Sequence, residues 1–260
     1  MGRLMQPTRR ERQREATYDE IVRASRALLA DGAELSLRAV AGRMGLTAPA
    51  LYRYVANYQE LVDLVAFEID KAATETFRAA ADALPEDDHG GRLVASVTEF
   101  RQWALGSPRE FSLVFANPIA DAACVRREML TVASSGHLFT DLMRELWEAN
   151  HHPLPALEDL PPTVRETVLD PLIPAETDGL ASEDRGLVWL YMQGWTRLYG
   201  AVALEVFGHA DPRLIESGDM FVDVMREFAP RLGLGPDLER LEGLIRARIA
   251  RGTGAPGATK

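Results

Sequence analysis

Residues 36–55 read SLRAVAGRMGLTAPALYRYV, and this stretch decides the fold of the N-terminal part of the chain. Ser36 is a favourable helix N-cap, and Gly45 closes the helix that follows. Thr47 caps a second helix whose first turn holds Pro49, where the missing N–H costs little. The apolar positions at helical spacing are Leu37, Val40, Ala41, Met44, Leu51 and Val55. The pattern predicts helices over 36–44 and 47–55, joined by a short glycine turn.

Amphipathic helices are predicted on both sides of this stretch. An apolar stripe runs from Tyr18 to Leu29, and Gly32 ends the helix that begins at Thr17. Asn57 can cap a long helix that continues to about residue 80. Residues 1–15 are polar and basic without apolar periodicity, so a flexible basic arm is expected there. Residues 16–60 therefore form a predicted three-helix unit with a helix-turn-helix.

The second short helix has the residue types of a helix that enters the DNA major groove. Ala48, Pro49 and Ala50 are small enough for close approach, and their apolar atoms can contact thymine methyl groups. Arg53 can read guanine or bind a phosphate, and the sequence leaves both open. For Tyr52 and Tyr54 the alternatives are phosphate contact and partial packing in the core.

Charge is distributed unevenly along the chain. The net charge is −10, but residues 1–60 carry +3 and the remainder −13. Only the N-terminal part therefore suits a polyanion. The N-terminal arginines, from Arg3 to Arg14, either enter a minor groove or add non-specific attraction.

Residues 17–77 resemble the TetR family of transcriptional regulators. The resemblance rests on the 17–30 helix with its Gly32 stop, Ser36-Leu37-Arg38, Val40-Ala41, Gly45-Leu46-Thr47, Leu51-Tyr52 and Glu60-Leu61. It implies a DNA-binding head, a fourth helix that links head to body, and a homodimer. The resemblance implies that Ser36 and Arg38 contact the DNA backbone and that Thr47, Tyr52 and Tyr54 contact phosphates. It places Ala48, Pro49, Ala50 and Arg53 in the DNA groove. Tyr58 replaces a lysine frequent in the family, so this phosphate contact is either weaker or made by the tyrosine hydroxyl.

The rest of the chain predicts a larger helical domain over residues 61–250, followed by a disordered tail at 251–260. Helices are expected at about 92–105, 109–116, 121–149, 182–208, 212–229 and 237–250. Six prolines between residues 150 and 181 indicate a long connection with at most one short helix, near 162–170. The predicted fold class is all-α.

Two aromatic-rich segments, 100–115 and 189–200, are similar to ligand domains of TetR-like regulators. A sensor needs an apolar cavity with a few polar groups, and Gln102, His137 and Gln193 could orient a ligand. The alternative for each side chain is simple core packing. The candidate ligand-binding residues are Trp103, Phe111, Phe115, His137, Phe139, Met143, Trp147, Met192, Trp195 and Tyr199. The expected effector is a small molecule with apolar character.

The predicted helices 182–208 and 212–229 are candidates for a four-helix bundle between two subunits, as the family resemblance implies. The candidate interface residues are Leu187, Leu190, Leu198, Val202, Val206, Phe221, Val224, Met225 and Phe228. A twofold dimer would place two reading helices roughly 34–36 Å apart on a double-stranded DNA operator.

Other functional classes receive little support from the sequence. Cys124 is the single cysteine and has no matched histidine and carboxylate, so no enzyme is predicted. His151-His152 lacks a third ligand nearby, so no metal is expected, and no glycine-rich loop indicates a cofactor. The absence of a secretory signal or long apolar run favours the cytoplasm.

The sequence thus predicts a ligand-responsive DNA-binding regulator, a repressor released by a small molecule. The alternatives are a small-molecule-binding helical protein without specific DNA recognition, or an all-helical enzyme that uses the same cavity.

Overall fold

A computed structural model describes residues 8–116, 134–171, 177 and 179–252, and these ranges contain helices and connections without a strand. The α-helices of the described ranges are α1 (Arg9–Ala30), α2 (Leu37–Arg43), α3 (Ala48–Leu51), α4 (Tyr58–Asp82), α5 (His89–Gly106), α6 (Pro108–Phe115), α7 (Ser135–Asn150), α8 (Pro162–Leu169), α9 (Gly186–Val206), α10 (Pro212–Ser217), α11 (Asp219–Phe228) and α12 (Leu238–Gly252). The predicted all-α class is confirmed. Within these ranges, no helix is long and apolar enough to span a bilayer.

The chain divides into two compact units. The N-terminal unit comprises the described residues up to Asp70 together with 109–116, and the C-terminal unit comprises the other described residues. The first unit thus extends past the boundary predicted at residue 60 and includes most of α6. Cys124, the predicted helical residues 121–133 and the tail beyond Gly252 lie outside the described residues.

Helix α1 begins at Arg9, so the prediction of a flexible arm through residue 15 is wrong for residues 9–15. Thr8 and Glu11 form a capping box: the Thr8 hydroxyl accepts from the Glu11 N–H at 3.3 Å, and the Glu11 carboxylate accepts from the Thr8 N–H at 2.6 Å. Arginine, glutamate and glutamine favour helices. The first two turns are exposed all round, which explains why apolar periodicity did not reveal them.

Helix α6 packs on α1 within the N-terminal unit. The Arg26 guanidinium forms a two-point ion pair with the Glu110 carboxylate, at 2.7 and 3.2 Å. Arg109 Nη1 donates to the Leu29 carbonyl at 3.0 Å, beside the Gly32 N–H that donates to the same oxygen at 3.1 Å. These bonds explain why α6 belongs to the N-terminal unit.

The C-terminal unit contains a buried ion pair. Arg101 on α5 and Glu205 on α9 are 1% and 3% exposed, and two bonds of 2.6 and 3.2 Å join them. Arg101 also donates to the Ile215 carbonyl at 2.6 Å. Burial raises the pKa of Glu205, and the bonds from Arg101 oppose this rise. The pair connects α5 to the α9–α10 corner.

Most of the predicted dimer-interface residues lie inside the protomer. Leu187, Leu190, Leu198, Val202, Phe221 and Phe228 are all buried in the chain's own core. They face other helices of the same unit, so the prediction that they form the subunit interface is wrong. The predicted helix 212–229 is also divided into α10 and α11 at Gly218, whose φ of +70° ends α10.

Candidate nucleic-acid interface and aromatic cluster

Helices α2 and α3 form the predicted helix-turn-helix, with a tight turn between them. The Ser36 hydroxyl accepts from the Ala39 N–H at 3.2 Å and caps α2. At the other end, Gly45 has a φ of +68°, a conformation that favours glycine. The Leu46 N–H then donates to the Ala41 carbonyl at 2.8 Å, which closes the turn.

Helix α3 is shorter than predicted. It spans Ala48–Leu51, and turns continue the chain to Val55 rather than the regular helix expected there. The Tyr54 and Val55 N–H groups both donate to the Leu51 carbonyl, at 2.9 and 3.2 Å. Leu51 and Val55 are buried as predicted and anchor this segment. We call residues 47–55 the reading segment.

The residues predicted to contact DNA differ in exposure. Tyr52 is 51% exposed and Tyr58, the first residue of α4, is 37% exposed. Tyr54 is half-buried, so its alternative role of partial packing is supported. The other exposed members of the set are Arg38, Thr47, Pro49 and Arg53, and the half-buried ones are Ser36, Ala48 and Ala50.

Two arginines of this surface have no ion-pair or hydrogen-bond partner in the part of the chain that the structure describes. They are Arg38 on α2 and Arg53 in the reading segment. Arg43, by contrast, lies 2.6 Å from the Asp31 carboxylate. Thr47 stands at the α3 N-cap without a side-chain capping bond. Arg38, Arg53 and Thr47 therefore present donors to solvent.

Sequence reasoning missed the residues that hold Tyr54. The Tyr18 hydroxyl donates to the Tyr54 carbonyl at 3.2 Å, and the two rings meet edge to face with centroids 5.8 Å apart. Arg14 in turn donates to the Tyr18 hydroxyl at 3.0 Å. No local sequence signal could show this contact, because Tyr18 and Tyr54 are 36 residues apart.

In the C-terminal unit, four predicted ligand-binding residues join one aromatic cluster. Phe100 lies at its centre, with ring centroids 6.2 Å from Trp103, 5.7 Å from Phe139 and 5.8 Å from Trp195. Tyr199 stacks on Trp195 at 5.6 Å. The central rings of Phe77 and Phe100 were not among the predicted ligand-binding residues. We call these six residues the aromatic cluster: Phe77, Phe100, Trp103, Phe139, Trp195 and Tyr199.

The other predicted ligand-binding residues lie elsewhere. Phe111 and Phe115 belong to the N-terminal unit and pair with each other at 5.4 Å. Trp147 lies against His151, and the His137 ring bonds the Ser134 hydroxyl at 3.0 Å. The remaining two are Met143, which is buried, and Met192, which is half-buried.

Neither glutamine predicted to orient a ligand projects free of protein partners. Gln102 accepts from Arg101 at 3.1 Å and donates to the Ile249 carbonyl at 3.5 Å. The Gln193 side chain accepts from Arg231 at 3.0 Å. Both amides therefore hold helices together in the described structure.

Comparison with known proteins agrees with this architecture. The family described as "Tetracyclin repressor-like, C-terminal domain" matches residues 93–228. Curated relatives include the HTH-type transcriptional regulators Rv1816 of Mycobacterium tuberculosis and Mb1846 of Mycobacterium bovis. Each is 26% identical to this chain over 199 residues, which cover 75% of this chain and 82% of the relative. The crystal structure of SCO4313, described as a regulatory protein, aligns with a TM-score of 0.59 at 23% identity over 85% of this chain and 98% of its own.

The helix-turn-helix head and the helical second unit, taken with these relatives, define a DNA-binding transcriptional regulator. The family match covers more than half of the chain. The chain belongs to the TetR family, which confirms the resemblance found in residues 17–77.

Proposed function

We propose that this regulator is a homodimeric, cytoplasmic repressor that leaves a pseudo-palindromic operator when an apolar small molecule binds its C-terminal unit. The observation that carries the DNA part is the pair of solvent-facing guanidinium groups of Arg38 and Arg53 beside the exposed Tyr52.

The chemistry of this surface suits the DNA backbone and the groove floor. The guanidinium group of Arg38 and the hydroxyl groups of Thr47 and Tyr52 would bind DNA phosphates. Such contacts fix the register of a protein on the duplex. Arg53 would reach a base edge or a phosphate, and the small residues 48–50 would allow the approach. The half-buried Tyr54 and Ser36 would support this surface, and Tyr58 would add a hydroxyl from α4.

The test uses a duplex selected by the wild-type protein from a random-sequence pool. Arg38→Ala should weaken binding about ten-fold and lower the slope of log affinity against log salt by about one, because one phosphate contact is lost. Tyr52→Ala should also weaken binding. Arg78→Ala is the matched control, since it removes the same charge from the exposed surface of the C-terminal unit.

Unchanged affinity in both Arg38→Ala and Tyr52→Ala would remove the assignment of this surface. If the wild-type protein selected no duplex at low salt, the alternative of a ligand-binding protein without DNA recognition would hold.

The aromatic cluster is the proposed effector site. Phe77, Phe100 and Phe139 are buried and form its floor, whereas Trp103 and Tyr199 are half-buried and Trp195 is exposed. An apolar ligand would contact the three accessible rings, which offer large flat surfaces for stacking.

The connection from α5 to α6 offers a route from effector to DNA. Phe100 and Trp103 lie on the last two turns of α5, and Ser107 alone separates α5 from α6. Glu110 of α6 is paired with Arg26 of α1. A ligand that shifts the end of α5 would therefore displace α1. The coupling between ligand binding and DNA binding would equal the difference in the ligand's affinity for the shifted and unshifted arrangements of these helices.

Ligand binding can be tested with anilinonaphthalene sulfonate and a panel of aromatic compounds, by fluorescence and thermal shift. Trp195→Ala should abolish the binding response, while Trp189→Ala, on the same helix but outside the cluster, should retain it. Equal responses in both variants would place the site elsewhere. A compound that binds should also release the selected duplex.

The proposed dimer surface is the exposed side of α9. Leu204 and Phe207 are 45% and 42% exposed, and next to them Gly200 faces open space while Ala203 is half-buried. Small residues beside exposed apolar ones allow close helix approach. A second copy of the chain would cover this surface by twofold symmetry.

Leu204→Glu should convert the dimer to a monomer in light-scattering measurements. Leu169→Glu changes an equally exposed leucine on α8 and should leave the dimer intact. If Leu204→Glu remained dimeric, another surface would have to join the subunits.

A further inference from the structure

We propose that Tyr18 is a positioning residue for DNA recognition: held by Arg14, it fixes the C-terminal end of the reading segment. This inference rests on the proposed DNA binding and extends the functional surface to the first helix.

The Tyr18 hydroxyl uses both its donor and its acceptor capacity. It donates to the Tyr54 carbonyl at 3.2 Å and accepts from Arg14 Nη2 and Nε at 3.0 and 3.3 Å. The Arg14 guanidinium carbon also lies 5.6 Å from the centre of the Tyr18 ring. One side chain of α1 thus connects a cationic group to the main chain of the reading segment.

The reading segment needs this support because α3 is only four residues long. A helix of this length is unstable by itself. The Tyr54 carbonyl lies in the turn that follows α3, and the Tyr18 hydroxyl gives it a hydrogen-bond donor from α1. The edge-to-face contact with the Tyr54 ring adds a second constraint at the same residue.

The consequence is that Tyr52 and Arg53 are held from both sides. Leu51 anchors the segment before them in the core, and Tyr54 is held by Tyr18 after them. Loss of the Tyr18 hydroxyl would remove one constraint on Tyr54, although the ring contact and the buried Val55 would remain, and it would broaden the directions available to Arg53. Specific binding would then fall more than binding that depends only on charge.

The experiment compares the selected duplex with a scrambled duplex of equal length and composition. Tyr18→Phe keeps the ring and removes the hydroxyl, and we expect about a five-fold loss of affinity for the selected duplex, as for one lost hydrogen bond. Affinity for the scrambled duplex and the salt slope should stay unchanged, because the hydroxyl carries no charge. Tyr191→Phe, in the C-terminal unit, is the control for the chemical change.

Arg14→Ala supplies a second variant at an exposed position, where folding is not at risk. It should lower the ratio of selected to scrambled affinity more than Arg10→Ala, which removes the same charge from the same helix without a bond to Tyr18 in the described structure. In the double variant Tyr18→Phe/Arg14→Ala, the fold-loss in this ratio should be smaller than the product of the fold-losses of the two single variants. The two changes are not independent, because both act through Tyr54.

The outcomes are distinguishable. Equal losses on both duplexes, or equal ratios for Arg14→Ala and Arg10→Ala, would overturn the positioning role and leave only charge attraction. If Arg38→Ala and Tyr52→Ala weaken binding while Tyr18→Phe does not, this inference fails and the proposed function stands. A wild-type protein that binds neither duplex would overturn both.

Discussion

The buried pair Arg101–Glu205 supports a quantitative prediction. Glu205→Gln keeps the shape of the side chain but leaves the Arg101 guanidinium, which is 1% exposed, without its counter-charge. Breaking one partner of a buried pair costs about 3–5 kcal/mol, because the remaining charge cannot be rehydrated. Arg101 keeps its bond to the Ile215 carbonyl, but a neutral acceptor does not replace a carboxylate.

The double replacement Arg101→Met with Glu205→Leu should behave differently. It removes both charges together, so most of the loss should disappear, apart from about 1 kcal/mol for the Ile215 carbonyl that loses its donor. Glu148→Gln serves as a control, because it disrupts an ordinary exposed pair with Arg144. That change should cost no more than about 0.5 kcal/mol.

Urea unfolding followed by circular dichroism measures these free energies, at one fixed protein concentration because the proposed dimer would make stability depend on concentration. The single variant should lose about 6–20 °C in Tm, at about 2–4 °C per kcal/mol for domains of this size. A loss below about 1 kcal/mol for Glu205→Gln, or a double variant less stable than the single one, would refute the reasoning.

Two further predictions concern stability. Burial lowers the pKa of His152, which is 6% exposed, so the unfolded chain binds a proton at this residue more readily than the folded chain does. The unfolding free energy should therefore fall as the pH drops below about 6.5 and level off below the folded pKa. In unfolding measured at several pH values, His152→Leu should flatten this dependence. A pH profile identical to that of the wild type would contradict this. Gly218→Ala should destabilise the protein by about 1–2 kcal/mol, because its φ is +70° and a Cβ there would collide with Ile249. Gly243 lies within α12 and faces open space, so Gly243→Ala should stabilise the protein by about 0.5–1 kcal/mol in the same urea assay. The opposite order of the two variants would show that backbone conformation does not decide the effect.

The head of the protein was largely predictable because its signals are local. The apolar stripe of α2, the Gly45 turn and the Asn57 cap each involve residues within a few positions of one another. In the structure the Asn57 side chain accepts from the Glu60 N–H at 2.9 Å, as predicted. The start of α1 was missed because Thr8 and Glu11 cap a helix that has no apolar face in its first turns.

The aromatic cluster was only partly predictable. Trp103, Phe139, Trp195 and Tyr199 were named from their residue types, but the same types also pack ordinary cores. Which rings meet depends on helix packing, and that brought Phe77 and Phe100 to the centre while Phe111 and Phe115 joined the N-terminal unit.

The sequence by itself determined the all-α class, the helix-turn-helix with its caps and glycine turn, and the family of the chain, since capping and apolar periodicity act over three or four residues. Tertiary structure alone decided which charged and aromatic side chains have partners and which partners they have. Arg101 finds Glu205 across 104 residues and Tyr18 finds Tyr54 across 36, while Arg38 and Arg53 remain turned to solvent. The physical reason is that a side chain's partner is chosen by the packing of whole helices, which no local pattern encodes.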